Sequence, residues 1–250
     1  MKVIGVIPAR YGSSRFPGKP LADIAGKSMI QRTYESASKC SALDHVIVAT
    51  DHRDIMDEVN SFGGHAVMTS ADHQSGTDRC YEALSLSGID ATHVVNIQGD
   101  EPLIPAKMIE QVVSLFNDDA VQIGTLVEKI TDVDMLFDPN KVKAVLGQNG
   151  QALYFSRSAI PHLRHVKKEH WAEKHNFFKH VGLYAYQTPI LKEICALEPA
   201  ILEQAESLEQ LRWLEFGYNI YAATTDLVSP SVDNHEDLEN LLLNYKNNLD

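Results

Sequence analysis

No apolar run in this 250-residue chain reaches the roughly 20 residues that a helix needs to cross a bilayer, so no helical membrane span is expected. The opening residues Met1-Lys2-Val3-Ile4-Gly5-Val6-Ile7-Pro8 lack the cleavage region of a signal peptide and read as a first core strand. Cysteine is scarce. Cys40, Cys80 and Cys195 are odd in number, widely spaced and in no metal-like pattern, which argues for packed, reduced thiols and a cytoplasmic protein. Repeats, low-complexity tracts and linkers are missing too, which leaves a single domain over 1–250 with an excursion or subdomain at about 130–187. Positive charge is in short supply: 22 Lys and Arg against 34 Asp and Glu give a net charge of −12. That balance disfavours nucleic acid or an anionic membrane as a partner.

The positive charge that is present is concentrated. Residues 1–32 hold Lys2, Arg10, Arg15, Lys19, Lys27 and Arg32 against Asp23 alone, so this segment carries +5 and the remainder −17. A small anionic ligand bound near the first loop would explain the contrast. Strand-like runs at residues 3–7, 45–49, 66–69 and 92–97 alternate with helical patterns near 29–39, 53–62, 78–87 and 107–116. Such alternation predicts an α/β fold with a mainly parallel sheet covered on both faces. Ligands of such sheets sit beyond the carboxyl ends of the strands, which selects the loops after residues 8, 50, 70 and 97. The second half is less regular. Strands are expected at 142–146, 152–155, 181–186 and 219–223, helices near 189–196, 207–216 and 235–245, and a mobile loop over the His- and Lys-rich stretch 162–176.

The first loop reads Pro8-Ala9-Arg10-Tyr11-Gly12-Ser13-Ser14-Arg15-Phe16-Pro17-Gly18-Lys19-Pro20. Small residues admit a ligand to the backbone, Ser13 and Ser14 add hydroxyls, and Arg10, Arg15 and Lys19 add three cations. A triphosphate calls for that combination of exposed N–H groups, a guanidinium fork and a point charge, with a solvated basic turn as the alternative. A Walker loop is excluded, because five residues separate Gly12 from Gly18 and Pro20 follows the lysine. The same turn lacks the G-x-G-x-x-G of a Rossmann dehydrogenase.

The strand ending Val94-Val95-Asn96-Ile97 runs into Gln98-Gly99-Asp100-Glu101-Pro102, which sets a carboxylate at the ligand edge of the sheet. Asp100 there can hold Mg²⁺ together with phosphate oxygens, or cap the following helix. In Ser231-Val232-Asp233-Asn234-His235, Asp233 or Asn234 can cap the last helix. In Asp72-His73-Gln74-Ser75-Gly76-Thr77-Asp78-Arg79, Ser75 and Gly76 suit a pyrimidine edge or ribose and Arg79 a phosphate or a buried acid. His73 reads as a polar contact rather than a base. Leu208, Leu211 and Leu214 form the core stripe of an amphipathic helix.

Six segments carry a family resemblance: I-P-A-R-Y-G-S-S-R-x-P-G-K-P-L, M-T-S-x-D-H-Q-S-G-T-D-R, Q-G-D-E-P, A-L-Y-F-S-R, K-H-x-G-x-Y-A-Y and S-L-E-Q-L-R. With the Asp233 segment they run from Ile7 to Leu238, and they resemble the 3-deoxy-manno-octulosonate (Kdo) cytidylyltransferases. The resemblance implies a Rossmann-like sheet of the nucleotide-diphospho-sugar transferase type with a small dimerisation subdomain, and a homodimer. It implies transfer of CMP from CTP to the anomeric hydroxyl of Kdo with Mg²⁺, for lipopolysaccharide or capsule. The 8-amino analogue of Kdo or a sialic acid is the alternative acceptor, and a non-catalytic sugar-nucleotide sensor the remote one. Asp100, Arg15 and Lys19 are then catalytic. Arg10, Ser13, Ser14, Arg15, Lys19, Ser75, Gly76, Arg79 and Gln98 bind nucleotide. Gln98, Arg157, His180, Tyr184, Glu209 and Gln210 bind the sugar, with Arg157 on its carboxylate, and Asp100 and Asp233 hold the metal. The chain departs from the family at Ser231, Asn234 and His235, where Gly, Thr and Pro are usual, and at Gln187, where Arg is frequent. No general base is identified.

Overall fold

The computed structural model describes residues 1–12 and 16–247, with side chains through Leu243, so Ser13, Ser14 and Arg15 lie outside the described residues. Contacts divide the chain into two compact units, Met1–Glu110 with Val228–Asp250, and Gln111–Leu227.

The near-continuous apolar run at the start forms β1 (Val3–Ala9), in which Val3, Ile4, Val6 and Ile7 are all buried. Burial on both faces is what a parallel strand between helices demands. A hairpin of β2 (Asp23–Ile24) and β3 (Lys27–Ser28) leads into α1 (Met29–Ala37), then β4 (His45–Thr50), α2 (Arg53–Ser61), β5 (Ala66–Met68), α3 (Gly76–Ser87), β6 (His93–Asn96) and α4 (Ala106–Ser114). The strands lie in the order β6-β1-β4-β5, and every pairing among them is parallel. Their carboxyl ends therefore open at one edge. Helix starts are set by side chains that the sequence supplies: Ser28 Oγ accepts from Gln31 N–H and Ser75 Oγ from Asp78 N–H.

The second unit contains β7 (Ile123–Ile130), α5 (Val133–Phe137), β8 (Lys143–Leu146), β9 (Ala152–Ser156), α6 (Trp171–Lys174), β10 (Phe177–Gln187), α7 (Thr188–Cys195), α8 (Ile201–Glu206), α9 (Gln210–Glu215) and β11 (Ile220–Thr225). Here the pairing is mixed. β11 runs parallel to β7, whereas β7–β10, β10–β8 and β8–β9 are antiparallel. The first unit is completed by α10 (His235–Asn247).

Three features of the second unit differ from expectation. β7 carries no prediction, because Gly124 and the Glu128-Lys129 pair interrupt its apolar pattern. Its ladder with two neighbours nonetheless buries Ile123, Leu126, Val127 and Ile130. The helix expected over 207–216 is confined to α9, Gln210–Glu215, and α8, which carries no prediction, ends just before Ser207, which sits in the left-handed region with φ 51°. The core stripe of the expected segment is Leu208, Leu211 and Trp213, with Leu214 half-buried. The stretch 162–176 is anchored rather than loose: Trp171 is buried, stacks on Phe177 at 5.9 Å and donates its Nε1–H to Val166 O. Among the described residues no helix is long and apolar enough to cross a membrane.

Candidate active site

At the open edge of the first unit, one lysine gathers two carboxylates. Gly18 adopts φ 69°, a region that favours glycine, and its N–H donates to Tyr11 O at 3.0 Å. The next residue, Lys19, starts a single 3-10 turn and sends Nζ to Asp100 Oδ2 at 2.8 Å and Val232 O at 2.9 Å, with Asp233 Oδ1 at 3.8 Å. Val232 fixes the approach of Asp233. It is fully buried beside Phe16, Ile24, Met29 and Leu241, and its N–H donates to Asp100 O at 2.9 Å.

Neither aspartate serves as a helix cap. Asp100 lies in a turn well before α4 begins at Ala106. At α10 the cap is Asn234, whose Oδ1 accepts from Asp237 N–H at 2.9 Å, while Asp237 Oδ2 accepts from the N–H groups of Asp233 and Asn234. The asparagine that replaces the family's usual threonine thus still supplies the capping oxygen, and the Asp233 carboxylate is left to face Lys19. The pair suits a hard divalent cation. Mg²⁺ is held by one or two carboxylates with phosphate oxygens and water completing its shell. Among the described residues no group of three or more His, Cys, Asp or Glu could form a closed metal cage.

Gly99 makes the approach of this turn to β1 possible, since a Cβ there would lie 2.7 Å from Pro8 O. Backbone cannot yield as a flexible side chain can. Gly99→Ala is expected to destabilise the fold by about 1–3 kcal/mol and to raise the KM for nucleotide, checked by thermal unfolding and steady-state kinetics.

A cavity of about 290 Å³ opens over the knot, lined by Arg10, Lys19, His73, Ser75, Gly76, Arg79, Gln98, Asp100 and Asp233. The sequence-predicted residues it brings together are therefore Arg10, Lys19, Ser75, Gly76, Arg79, Gln98, Asp100 and Asp233. Two of them have their polar groups engaged elsewhere. Ser75 Oγ caps α3 and donates to Asp78 Oδ2. The structure gives Arg79 an acid as partner, the half-buried Asp51: Nη2 donates to Asp51 Oδ2 at 3.0 Å and Nη1 to Thr69 Oγ1 and Ser70 O. Asp51 Oδ1 also accepts from Tyr11 N–H, and Tyr11 stacks on His52 at 4.0 Å, so the end of β4 holds the first loop. Sequence reasoning missed Asp51, although it is the first residue of a loop already selected as a ligand edge. His73 is likewise held, its Nε2 lying 2.6 Å from Glu82 Oε2. Burial would raise the Glu82 carboxyl, but Ser70 N–H and His73 outweigh it and hold its pKa below the ordinary value.

In the second unit, His180, Tyr184 and Trp213 form an aromatic nest with ring centroids 5.2 Å and 5.1 Å apart in turn. Gln210 is buried and Glu209 half-buried on the adjoining turn. Burial, reinforced by the charge of Glu209, pushes the Tyr184 phenol well above its usual range. Tyr184 Oη is buried and closes no hydrogen bond of ordinary geometry among the described residues, although the Thr125 hydroxyl lies near enough to offset part of that rise.

Arg157 is partly engaged within its own unit: Nε donates to Glu206 O, Nη1 to Pro139 O and Nη2 to Ser207 O, so three of its five N–H donors strap the turn ahead of Glu209. Gln187 is structural as well, with Nε2 donating to Val121 O at 3.0 Å.

Burial lowers His180 from 6.5 to about 3, so the ring stays neutral at physiological pH. The unfolded chain takes up a proton below 6.5 that the native ring refuses. Stability is therefore full above that value and declines as pH falls toward about 3. Urea unfolding at a series of pH values is expected to show a shallower acid loss for His180→Gln than for the parent chain.

Known proteins resemble this chain over nearly its whole length. The cytidylyltransferase family model matches residues 4–220. A 3-deoxy-manno-octulosonate cytidylyltransferase of Parabacteroides distasonis is 52% identical over 246 residues, covering 97% of this chain and 97% of that protein. The protein of the same name from Bacteroides thetaiotaomicron is 51% identical over 242 residues, covering 96% of each. The solved structure of CMP:2-keto-3-deoxy-manno-octonic acid synthetase complexed with CTP superposes with a TM-score of 0.92 at 42% identity, covering 99% of this chain and 100% of that one. A cytidylyltransferase from Leptospira borgpetersenii shares the fold alone, with a TM-score of 0.61 at 16% identity over 99% of this chain and 95% of that one.

Proposed function

The chain belongs to the 3-deoxy-manno-octulosonate cytidylyltransferases, and from that premise we propose that it joins CMP from CTP to the anomeric hydroxyl of Kdo and releases pyrophosphate. The observation that carries this reading is the meeting of Lys19 with Asp100 and Asp233 at the sheet edge that Arg10 also lines. Arg10 and Lys19 supply positive charge to the triphosphate, and Gln98, Ser75 and Gly76 line the wall available to the nucleoside. The anomeric oxygen attacks the α-phosphorus and releases its proton to solvent as the bond from the α-phosphorus to the pyrophosphate oxygen breaks. Because little covalent chemistry falls to the protein, rate comes from positioning and charge stabilisation. Lys19 stabilises the growing charge on the departing pyrophosphate. Asp100 and Asp233 are the residues that hold Mg²⁺, which when bound neutralises phosphate charge. In the second unit His180, Tyr184, Glu209 and Gln210 are the sugar-hydroxyl ligands, with His180 acting as a neutral hydrogen-bonding group. A homodimer working in the cytoplasm for lipopolysaccharide or capsule synthesis completes the proposal.

Pyrophosphate release from CTP, UTP and ATP against Kdo, its 8-amino analogue and a sialic acid tests it. Turnover is expected with CTP and Kdo. Equal turnover with a sialic acid, or none with Kdo, would refute the acceptor assignment.

A further inference from the structure

β7 and β10 lose register midway along their ladder. Three residue steps on β10, from Val181 to Tyr184, answer one step on β7, from Leu126 to Thr125. Extra residues in one strand leave carbonyls without ladder partners and re-aim nearby side chains. Here the Thr125 hydroxyl fills the gap. Thr125 is fully buried, and its Oγ1 lies 3.1 Å from Val181 O, 2.9 Å from Leu183 O and 3.2 Å from His180 Nε2.

Those three contacts decide where the imidazole proton sits. A threonine hydroxyl has one hydrogen and two lone pairs, and a carbonyl oxygen can only accept. With two carbonyls within bonding distance, the hydroxyl hydrogen must point at them, or two oxygens would face each other at 2.9 Å with no proton between. The Thr125 oxygen can then meet His180 Nε2 attractively only as an acceptor. His180 Nε2 accordingly carries the hydrogen, and a neutral imidazole with Nε2–H has its lone pair on Nδ1. No described group bonds Nδ1, and the orphaned Tyr184 Oη belongs to the ring tilted against it at a centroid distance of 5.2 Å.

We propose that Thr125 is a positioning residue for sugar recognition: it locks His180 in the Nε2–H tautomer, so that Nδ1 is presented as an acceptor for a sugar hydroxyl. Burial keeps the ring neutral over the working pH range, which preserves the lone pair. Tyr184 Oη then offers a donor beside that acceptor, and a hydroxyl that donates to one and accepts from the other is bound in a single orientation. The role assigned to the sugar rests on the proposed function; the tautomer does not.

The test combines spectroscopy with kinetics. Long-range ¹H–¹⁵N correlation spectra of the ¹⁵N-histidine-labelled, substrate-free enzyme report which His180 nitrogen is protonated. The parent chain is expected to show a protonated Nε2 and an unprotonated Nδ1. Thr125→Val is expected to shift those signals toward a tautomer mixture and to raise the KM for Kdo about 10-fold with the KM for CTP unchanged, while Thr125→Ser restores both. A protonated Nδ1 in the parent chain would overturn the proposal, and that reading needs no variant to fold. Parental spectra and Kdo KM in Thr125→Val would overturn it equally. If the parent chain shows the expected tautomer but releases no pyrophosphate with Kdo, the function proposed above has failed and not the assignment of the proton.

Discussion

Asp100→Asn is expected to lower kcat for CMP transfer by roughly 10³-fold, the effect of losing several kcal/mol of transition-state charge stabilisation. The substitution keeps an oxygen for the 2.8 Å bond from Lys19 Nζ and leaves the Asp100 main-chain carbonyl to accept from Val232 N–H. The turn should therefore fold as before, and thermal unfolding should stay close to that of the parent chain. What changes is charge. Lys19 would be left with Asp233 as its only acidic partner in the knot, and the phosphates would meet a site stripped of one hard anionic ligand. Single-turnover measurement of pyrophosphate release separates the loss of chemistry from weaker binding.

Lys19→Met produces two effects of opposite sign. Removing the ammonium is expected to reduce kcat by roughly 10²–10³-fold, since a preorganised charge aimed at the leaving group is of that size. It also leaves Asp100 and Asp233 facing each other without the cation that now lies within 3.8 Å of both. With no nucleotide present, the variant is therefore expected to bind Mg²⁺ more tightly than the parent chain, because the metal no longer competes with a resident positive charge. Calorimetric titration of Mg²⁺ into the two proteins checks the sign. Lys19→Arg is expected to rescue little, because a planar fork cannot reproduce a point charge bonded at once to Asp100 Oδ2 and Val232 O.

Much of the first unit was legible before any coordinates, because its parallel strands are continuous apolar runs and its loops carry the unusual residues. The loops selected after residues 8, 70 and 97 do supply cavity walls. Asp100 and Asp233 left a real ambiguity between cap and ligand. The structure speaks to the capping half alone: α4 starts at Ala106, and Asn234 takes the capping duty at α10. Long-range partners explain what went unread. The side chain of Arg157 contacts Pro139, Glu206 and Ser207, and no local pattern announces carbonyls 18, 49 and 50 positions away as the partners of a guanidinium. β7 was missed because Gly124 and two charged residues break its periodicity, yet it brings Thr125 to the β10 bulge. Ser207 in left-handed backbone holds α9 to a start at Gln210, later than the amphipathic pattern suggests, since left-handed backbone at a serine has no reliable sequence signal.

Equilibrium binding of CTP with and without Mg²⁺, in the parent chain and in Asp100→Asn, is the most direct test of the Lys19–Asp100–Asp233 site. The parent chain should bind CTP markedly tighter with the metal, and the variant should lose most of that enhancement while retaining its metal-free affinity. An enhancement of equal size in both proteins would contradict the assignment of this carboxylate to the metal and the polyphosphate.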